Sequence, residues 1–283
     1  MRAFVAALFA ATTTIACSGR GGSAAAPAPA ARRAAAADPA TLRYAAGTGR
    51  YRLESAGRYV QEVMGNPQEL TLTQSMLFAT TLAEEAGTLA FSATVESLGV
   101  TGNAPGVDAS TLGAVRGQTF RSVFTPVGRS VSNSVPDTTN AAMQQVGRLF
   151  REFLPKLPAS TTAGTTWVDT TNDSQTMPGG AGQTATQAIR EHRVVGWETR
   201  EGGRALHITT NGRFTIAGTG DVQGQPIEIS GGGQATADRW ISAAGVYLGG
   251  VTNDSTNLTV NVLNVGMTVP VRQVQRLTIT RLP

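Results

Sequence analysis

Leu70-Thr71-Leu72-Thr73-Gln74-Ser75-Met76-Leu77-Phe78-Ala79-Thr80-Thr81-Leu82 decides how this chain folds. Its even positions read Leu, Leu, Gln, Met, Phe, Thr and Leu, while its odd positions are mostly Thr, Ser and Ala. Side chains alternate between the two faces of a strand, so a period of two predicts a half-buried strand with one face on a core and one in water. The pattern recurs outward from this stretch. Leu89, Phe91, Ala93 and Val95 alternate with Ala90, Ser92, Thr94 and Glu96. Leu206, Ile208, Phe214 and Ile216 repeat it, then Leu258, Val260 and Val262, and more loosely Tyr51, Leu53, Tyr59 and Val63. One wet face and one apolar face mark antiparallel sheet.

Turn chemistry punctuates these runs. Glu84-Glu85-Ala86-Gly87 and Glu201-Gly202-Gly203 predict hairpins. Asn211-Gly212 predicts a hairpin tip or a bulge, Thr219-Gly220-Asp221 and Asn253-Asp254 predict further turns, and Ser230-Gly231-Gly232-Gly233 predicts a loop that interrupts a strand. One helix is expected at about 138–154. Asp137 or Thr138 caps it, Met143, Val146, Leu149, Phe150, Phe153 and Leu154 recur at helical spacing, and Pro155 and Pro158 end it. A weaker helical turn is expected over Ala109 to Val115. The helix separates strands at about 41–135 from strands at about 165–283. With no sequence repeat between the two groups, the chain is expected to be mainly β. We expect a large curved antiparallel sheet or half-barrel with one inserted amphipathic helix, ahead of a β-sandwich or two separate β-domains.

Composition bounds the chemistry. The chain has 283 residues, with 23 Lys and Arg against 19 Asp and Glu, a net charge of +4 and only 15% charged residues. That leaves no basic stripe for nucleic acid, which is not expected as a partner. The single cysteine excludes intramolecular disulfides and thiolate-rich zinc sites, and two histidines exclude a His-rich centre, so neither metal nor cofactor is expected. There is no G-x-S-x-G elbow and no HExxH. His192 and His207 are expected at a strand edge or surface, with His207 on the face away from Leu206 and Ile208. Asp169 with Asp173, and Glu198 with Glu201, are the carboxylate pairs that could act as acid and base, and Asp169 and Asp173 near Asn172 could also hold calcium; solvated turn acids are the expectation for all four. No catalytic residue is named.

The N-terminus has a different logic. Arg2 precedes Ala3-Phe4-Val5-Ala6-Ala7-Leu8-Phe9-Ala10-Ala11, and Thr14-Ile15-Ala16 leads into Cys17, the sole cysteine. A basic start, a short apolar run and small residues before a cut are the plan of a secretory signal. Thr14-Ile15-Ala16-Cys17 resembles the lipobox of bacterial lipoproteins, with Thr14 where that family usually carries Leu. The resemblance implies a signal peptide over 1–16 and acylation of Cys17, palmitate-type chains included. With Ser18 next, it also implies anchorage in the outer membrane facing the periplasm. Residues 17–40 are Ala-, Pro- and Gly-rich and read as a tether, about 25 Å as a coil and about 70 Å fully extended, ahead of one β-rich domain at 41–283. The curved sheet, inserted helix and lipid anchor together resemble the envelope half-barrel family of lipoprotein carriers and lipid-binding lipoproteins.

The function expected on these grounds is a membrane-anchored, non-catalytic binding module for an apolar ligand or lipid. The alternative is a structural or protein-interaction lipoprotein of the cell envelope, and an envelope hydrolase comes last. Leu70, Leu72, Met76, Phe78, Leu89 and Phe91 are expected to wall the cavity, with Met143, Val146, Phe150 and Phe153 as its lid. The expected partners are the membrane, through Cys17, and an apolar ligand or envelope protein.

Overall fold

Period-two patterning becomes eleven antiparallel strands in one sheet. A computed structural model describes residues 39–63, 65–103, 113–176, 182–222 and 224–283. The signal peptide, Cys17 and the tether through residue 38 lie outside the described residues, as does most of the turn expected at Ala109 to Val115. The strands are β1 (Gly47–Val63), β2 (Asn66–Glu85), β3 (Thr88–Gly102), β4 (Thr119–Phe124) and β5 (Ser130–Ser134). After helix α1 (Ala141–Arg151) come β6 (Thr166–Thr176), β7 (Gly182–Arg200), β8 (Gly203–Val222), β9 (Gln225–Ser242), β10 (Tyr247–Val262) and β11 (Met267–Leu282).

Their order is β5-β4-β3-β2-β1-β11-β10-β9-β8-β7-β6. The first and last strands therefore meet in the middle of the sheet, and its two edges, β5 and β6, come from the middle of the chain. Only α1 and its flanking segments separate those edges in sequence. Gly147 of α1 seats against the segment that follows β5, where a Cβ would lie 2.0 Å from Val135 Cγ1. The C-terminal end of the same helix reaches Asp173 on β6 and Arg190 on β7. The sheet therefore curls until both edges meet one helix, and α1 spans the seam where a β5–β6 ladder would have closed a barrel.

The expected period-two phase holds. Leu70, Leu72, Gln74, Met76 and Phe78 oppose Tyr59, Gly57, Ser55, Leu53 and Tyr51 on β1, all on the inner face. That face has three tiers. At the end holding α1, Phe78, Phe91, Phe120, Phe150, Phe153 and Tyr247 are buried in one cluster. Phe150 meets Phe78 edge-on with centroids 5.0 Å apart, and Phe153 meets Tyr51 edge-on at 5.0 Å. At the far end, Tyr59, Leu70, Phe214, Ile229, Leu258 and Val271 form a second cluster. Between the two lies a polar belt, where Gln275 Nε2 donates to Ser55 Oγ at 2.8 Å and His192 Nδ1 lies 2.9 Å from Thr210 Oγ1.

The outer face is polar. On β1 it carries Arg50, Arg52, Glu54 and Arg58, and on β10 Asn253, Ser255, Asn257 and Thr259. Arg50 pairs with Glu96 and Arg58 with Glu69 there, both at 2.6 Å. Most apolar side chains of the described strands point inward, with Val131, Val168, Val195 and Val274 as exposed exceptions.

Two hairpins fall where expected. Ala86 and Gly87 adopt φ of 47° and 80°, and Glu201 and Gly202 adopt 52° and 77°, the paired positive values of a type I′ turn. Other turn readings are corrected. Asn211-Gly212 lies within β8 with unbroken register on both sides, and Asn253-Asp254 lies mid-strand in β10. Thr219-Gly220-Asp221 ends β8 rather than turning. Ser230 to Gly233 runs through β9 without interruption, because its glycines make room for neighbours: a Cβ on Gly233 would lie 2.1 Å from Ser255 O and 2.6 Å from Phe214 Cζ. Ladder pairing on both sides overrides local turn preference in each case. The helix is also shorter than 138–154. Asn140, not Asp137 or Thr138, caps it by accepting from Met143 N at 3.1 Å, while Asp137 accepts from Thr139 in a turn of its own.

Candidate functional site

α1 does not fill the seam completely. A cleft of about 320 Å³ remains between its C-terminal end, β6 and β7, and the inner face of β9 to β11. Phe153, Leu154, Tyr247, Leu277 and Ile279 supply its apolar lining, and the first four are buried. Arg129, Arg148, Arg151, Lys156, Arg190 and Arg239 line it too, against Glu152, Asp169 and Asp173.

Each carboxylate of the cleft is engaged. Lys156 Nζ lies 2.6 Å from Asp169, Arg151 3.1 Å from Asp173, and Arg190 3.5 Å from Glu152. These contacts fasten the helix end and the segment after it to β6 and β7. Asp169 and Asp173 are therefore not the solvated turn acids expected: both point inward from strand β6, and each is held by a cation. Arg148 and Arg151 sit in the last turn of α1, where cations complement the helix dipole. Burial pulls the Arg148 guanidinium below its ordinary value, with Asp173 acting in the opposite sense.

His192 is not at the surface. It is 6% exposed, on the inner face of β7, with its ring stacked on Trp167 at 4.9 Å. Its position in the phase of Arg190 and Val194 is what buries it. Burial first, then the positive charge of Arg239, lowers its pKa from 6.5 to about 4, so the ring is neutral at neutral pH. Its Nε2 is buried without a hydrogen-bond partner among the described residues, in a side chain that lines the cleft.

His207 lies on the outer face as expected, stacked on Trp240 at 4.9 Å, with Nε2 2.7 Å from Asp238. Glu198 accepts from Trp240 Nε1 at 2.5 Å, and Glu201 sits in a hairpin tip, so these two acids do not form a pair. Among the described residues, no group of three His, Cys, Asp or Glu side chains converges as a metal site.

The ten residues expected to line a cavity divide between the two clusters. Met76, Phe78, Leu89, Phe91, Met143, Phe150 and Phe153, with Val146 against them, pack together at the helix end. Leu70 and Leu72 belong to the far cluster. Only Phe153 of the ten lines the cleft. Sequence reading missed Arg148, Lys156, Arg190 and Arg239, and it placed His192 at a strand edge or surface rather than inside. One signal was available: Arg190, His192 and Arg239 share the inward phase of their strands with Val194 and Ile241, and charge in a core phase marks an unusual interior.

No family model and no curated protein matches this chain. Among solved structures it is similar to Neisserial surface protein A, at 6% identity and TM-score 0.21, covering 83% of this chain and 99% of that one. OmpTΔL8, a loop-deletion mutant of the outer membrane protein OmpT of Vibrio cholerae, gives 9% identity and TM-score 0.25 over 83% and 99%. A BenF-like porin from Pseudomonas fluorescens Pf-5 gives 8% and 0.20 over 83% and 98%.

Proposed function

We propose that this chain is a lipid-anchored envelope protein, non-catalytic, whose folded part binds a small amphiphilic molecule in the cleft beside α1. Cys17 and the tether hold it to the outer membrane on the periplasmic side. Acyl chains on one cysteine bury enough CH₂ groups, at about 0.8 kcal/mol each, for stable attachment when more than one chain is present. The observation that carries the binding role is the cleft itself. Its volume of about 320 Å³ lies at the lower end of small-molecule sites, and its apolar lining is met by a few convergent polar groups. The aromatic cluster around Phe150 is packed core, so α1 works as a fixed wall rather than a lid over an empty barrel.

The test is native mass spectrometry of the Cys17→Ser chain, secreted to a periplasm and purified without detergent. A stoichiometric extra mass that organic solvent releases is the expected result. A bare-chain mass that persists after incubation with an envelope lipid extract would overturn the binding role. Labelled palmitate entering the wild type but not Cys17→Ser tests the anchor separately.

An interaction role is the second reading, favoured by the edges. Among the described residues β6 is an edge strand with a ladder partner on one side only, and Val168 on it is 65% exposed. A partner strand could add there.

A further inference from the structure

We propose that the cleft recognises the anionic head of an amphiphile, a carboxylate or phosphate oxyanion, through Arg148, Arg239 and the Nε2 of His192. This rests on the reading of the cleft as a ligand site and adds the class of molecule it takes.

Charge is the first argument. Six cations face three carboxylates in the cleft, and all three carboxylates are engaged by Lys156, Arg151 and Arg190. Among the described residues neither Arg148 nor Arg239 has a carboxylate within ion-pair distance, although both are half-buried; Arg239 hydrogen-bonds the Tyr247 side chain and Arg148 feels Asp173 only at longer range. A guanidinium kept partly from water without a counter-ion is costly, and an oxyanion between the two would supply the missing charge in the bidentate geometry that Arg favours.

His192 is the second and independent argument. Its Nδ1 faces Thr210 Oγ1 at 2.9 Å. With that hydroxyl donating, the neutral ring carries its proton on Nε2. This nitrogen is buried, in a side chain that lines the cleft, and meets no protein acceptor among the described residues. Were it instead an acceptor, the guanidinium donors of Arg190 and Arg239 beside it would be its natural partners, and neither donates to it. A buried donor without a partner leaves a hydrogen bond for a ligand to complete.

The apolar residues set the other half of the molecule. Phe153, Leu277 and Ile279 line the same cleft, so an acyl or alkyl chain can lie along them while its head meets the cations. A free inorganic anion would leave that surface wet.

The experiment is calorimetric titration of the full Cys17→Ser chain with decanoate, decyl phosphate and decanol, each below its aggregation concentration. At least one anion is expected to bind tenfold or more tightly than decanol. Its advantage is expected to fall when salt is raised and to vanish in Arg148→Gln, with decanol binding unchanged and the melting temperature retained. Arg239→Gln gives the same readout should Arg148→Gln fold poorly. Equal binding of decanol and both anions by the wild type would overturn the head-group assignment while leaving the cleft as an amphiphile site. An anion preference that survives both substitutions would place recognition elsewhere. Failure of all three compounds to bind would overturn both readings together.

Discussion

Replacing Asp254 by Asn should make the protein more stable at high pH and leave it unchanged at low pH. Asp254 points inward from β10, opposite Gln275 on β11 and Ala235 on β9, and is 6% exposed. Burial raises its pKa from 3.8 to about 7, and its charge helps push the Tyr59 hydroxyl up to about 12 after burial itself. A carboxyl that holds its proton more tightly when folded favours the folded state fully below the unfolded pKa. That contribution is lost as pH rises from 3.8 to about 7. At about 1.36 kcal/mol for each tenfold change in acidity, the loss over the window is about 4 kcal/mol. Asn cannot ionise, so it escapes that loss. His192 opposes Asp254: its pKa is lowered to about 4, so its contribution is present above 6.5 and lost as pH falls toward 4. The wild type should therefore show a shallow pH dependence, and Asp254→Asn should uncover the rising limb of His192. Urea unfolding at pH 4 and pH 8 reads this directly. With a slope of about 3 kcal/mol per molar urea, the variant's midpoint should exceed the wild type's by about 1 M at pH 8. A gap between variant and wild type that is the same at both pH values would refute the assignment of Asp254 as a buried titrating carboxyl.

Other substitutions test the packing. Phe150→Ala removes a fully buried ring that meets Phe78, Phe91, Phe120 and Phe153, and should cost about 3–5 kcal/mol by denaturant unfolding. Gly233→Ala should cost about 1–3 kcal/mol through overpacking, because the new methyl meets Ser255 O and the Phe214 ring; a neutral result would mean β9 is looser than described. Asn140→Ala should cost about 1 kcal/mol through loss of the helix cap, with Asn140→Asp retaining most of the stability. Lys156→Met leaves Asp169 without its ion pair and should raise hydrogen exchange in the segment after α1 and in β6, while leaving the far cluster around Leu258 protected.

Much of the fold was legible because a sheet with one wet face prints its period on the sequence. The phases of Leu70 to Leu82, Leu89 to Val95 and Leu258 to Val262 place those side chains inward, as observed. The two short hairpins were legible because a type I′ turn demands positive φ, which Ala86-Gly87 and Glu201-Gly202 adopt. Asn211, Asp254 and the Gly231–Gly233 run misled for one reason. Turn-forming residues are cheap inside a strand once both neighbouring ladders hold it, and the sheet uses them to make space or a polar interior. The site was less legible still. Arg148 on a helix, Arg239 and His192 on different strands and Phe153 after the helix meet only because the sheet curls, which no local pattern encodes. The long aliphatic and aromatic runs drew attention to a cavity among themselves, whereas the cleft described lies at the seam and takes only Phe153 from them.

The most direct measurement is photo-crosslinking of the Cys17→Ser chain with a diazirine-bearing decanoate, mapped by peptide mass spectrometry. Occupation of the cleft predicts adducts on the segment from Arg148 to Lys156 and on β11 around Leu277 and Ile279, suppressed by excess decanoate. Adducts concentrated on the far cluster of Leu258 and Val271, or spread over the polar outer face and not suppressed, would contradict it.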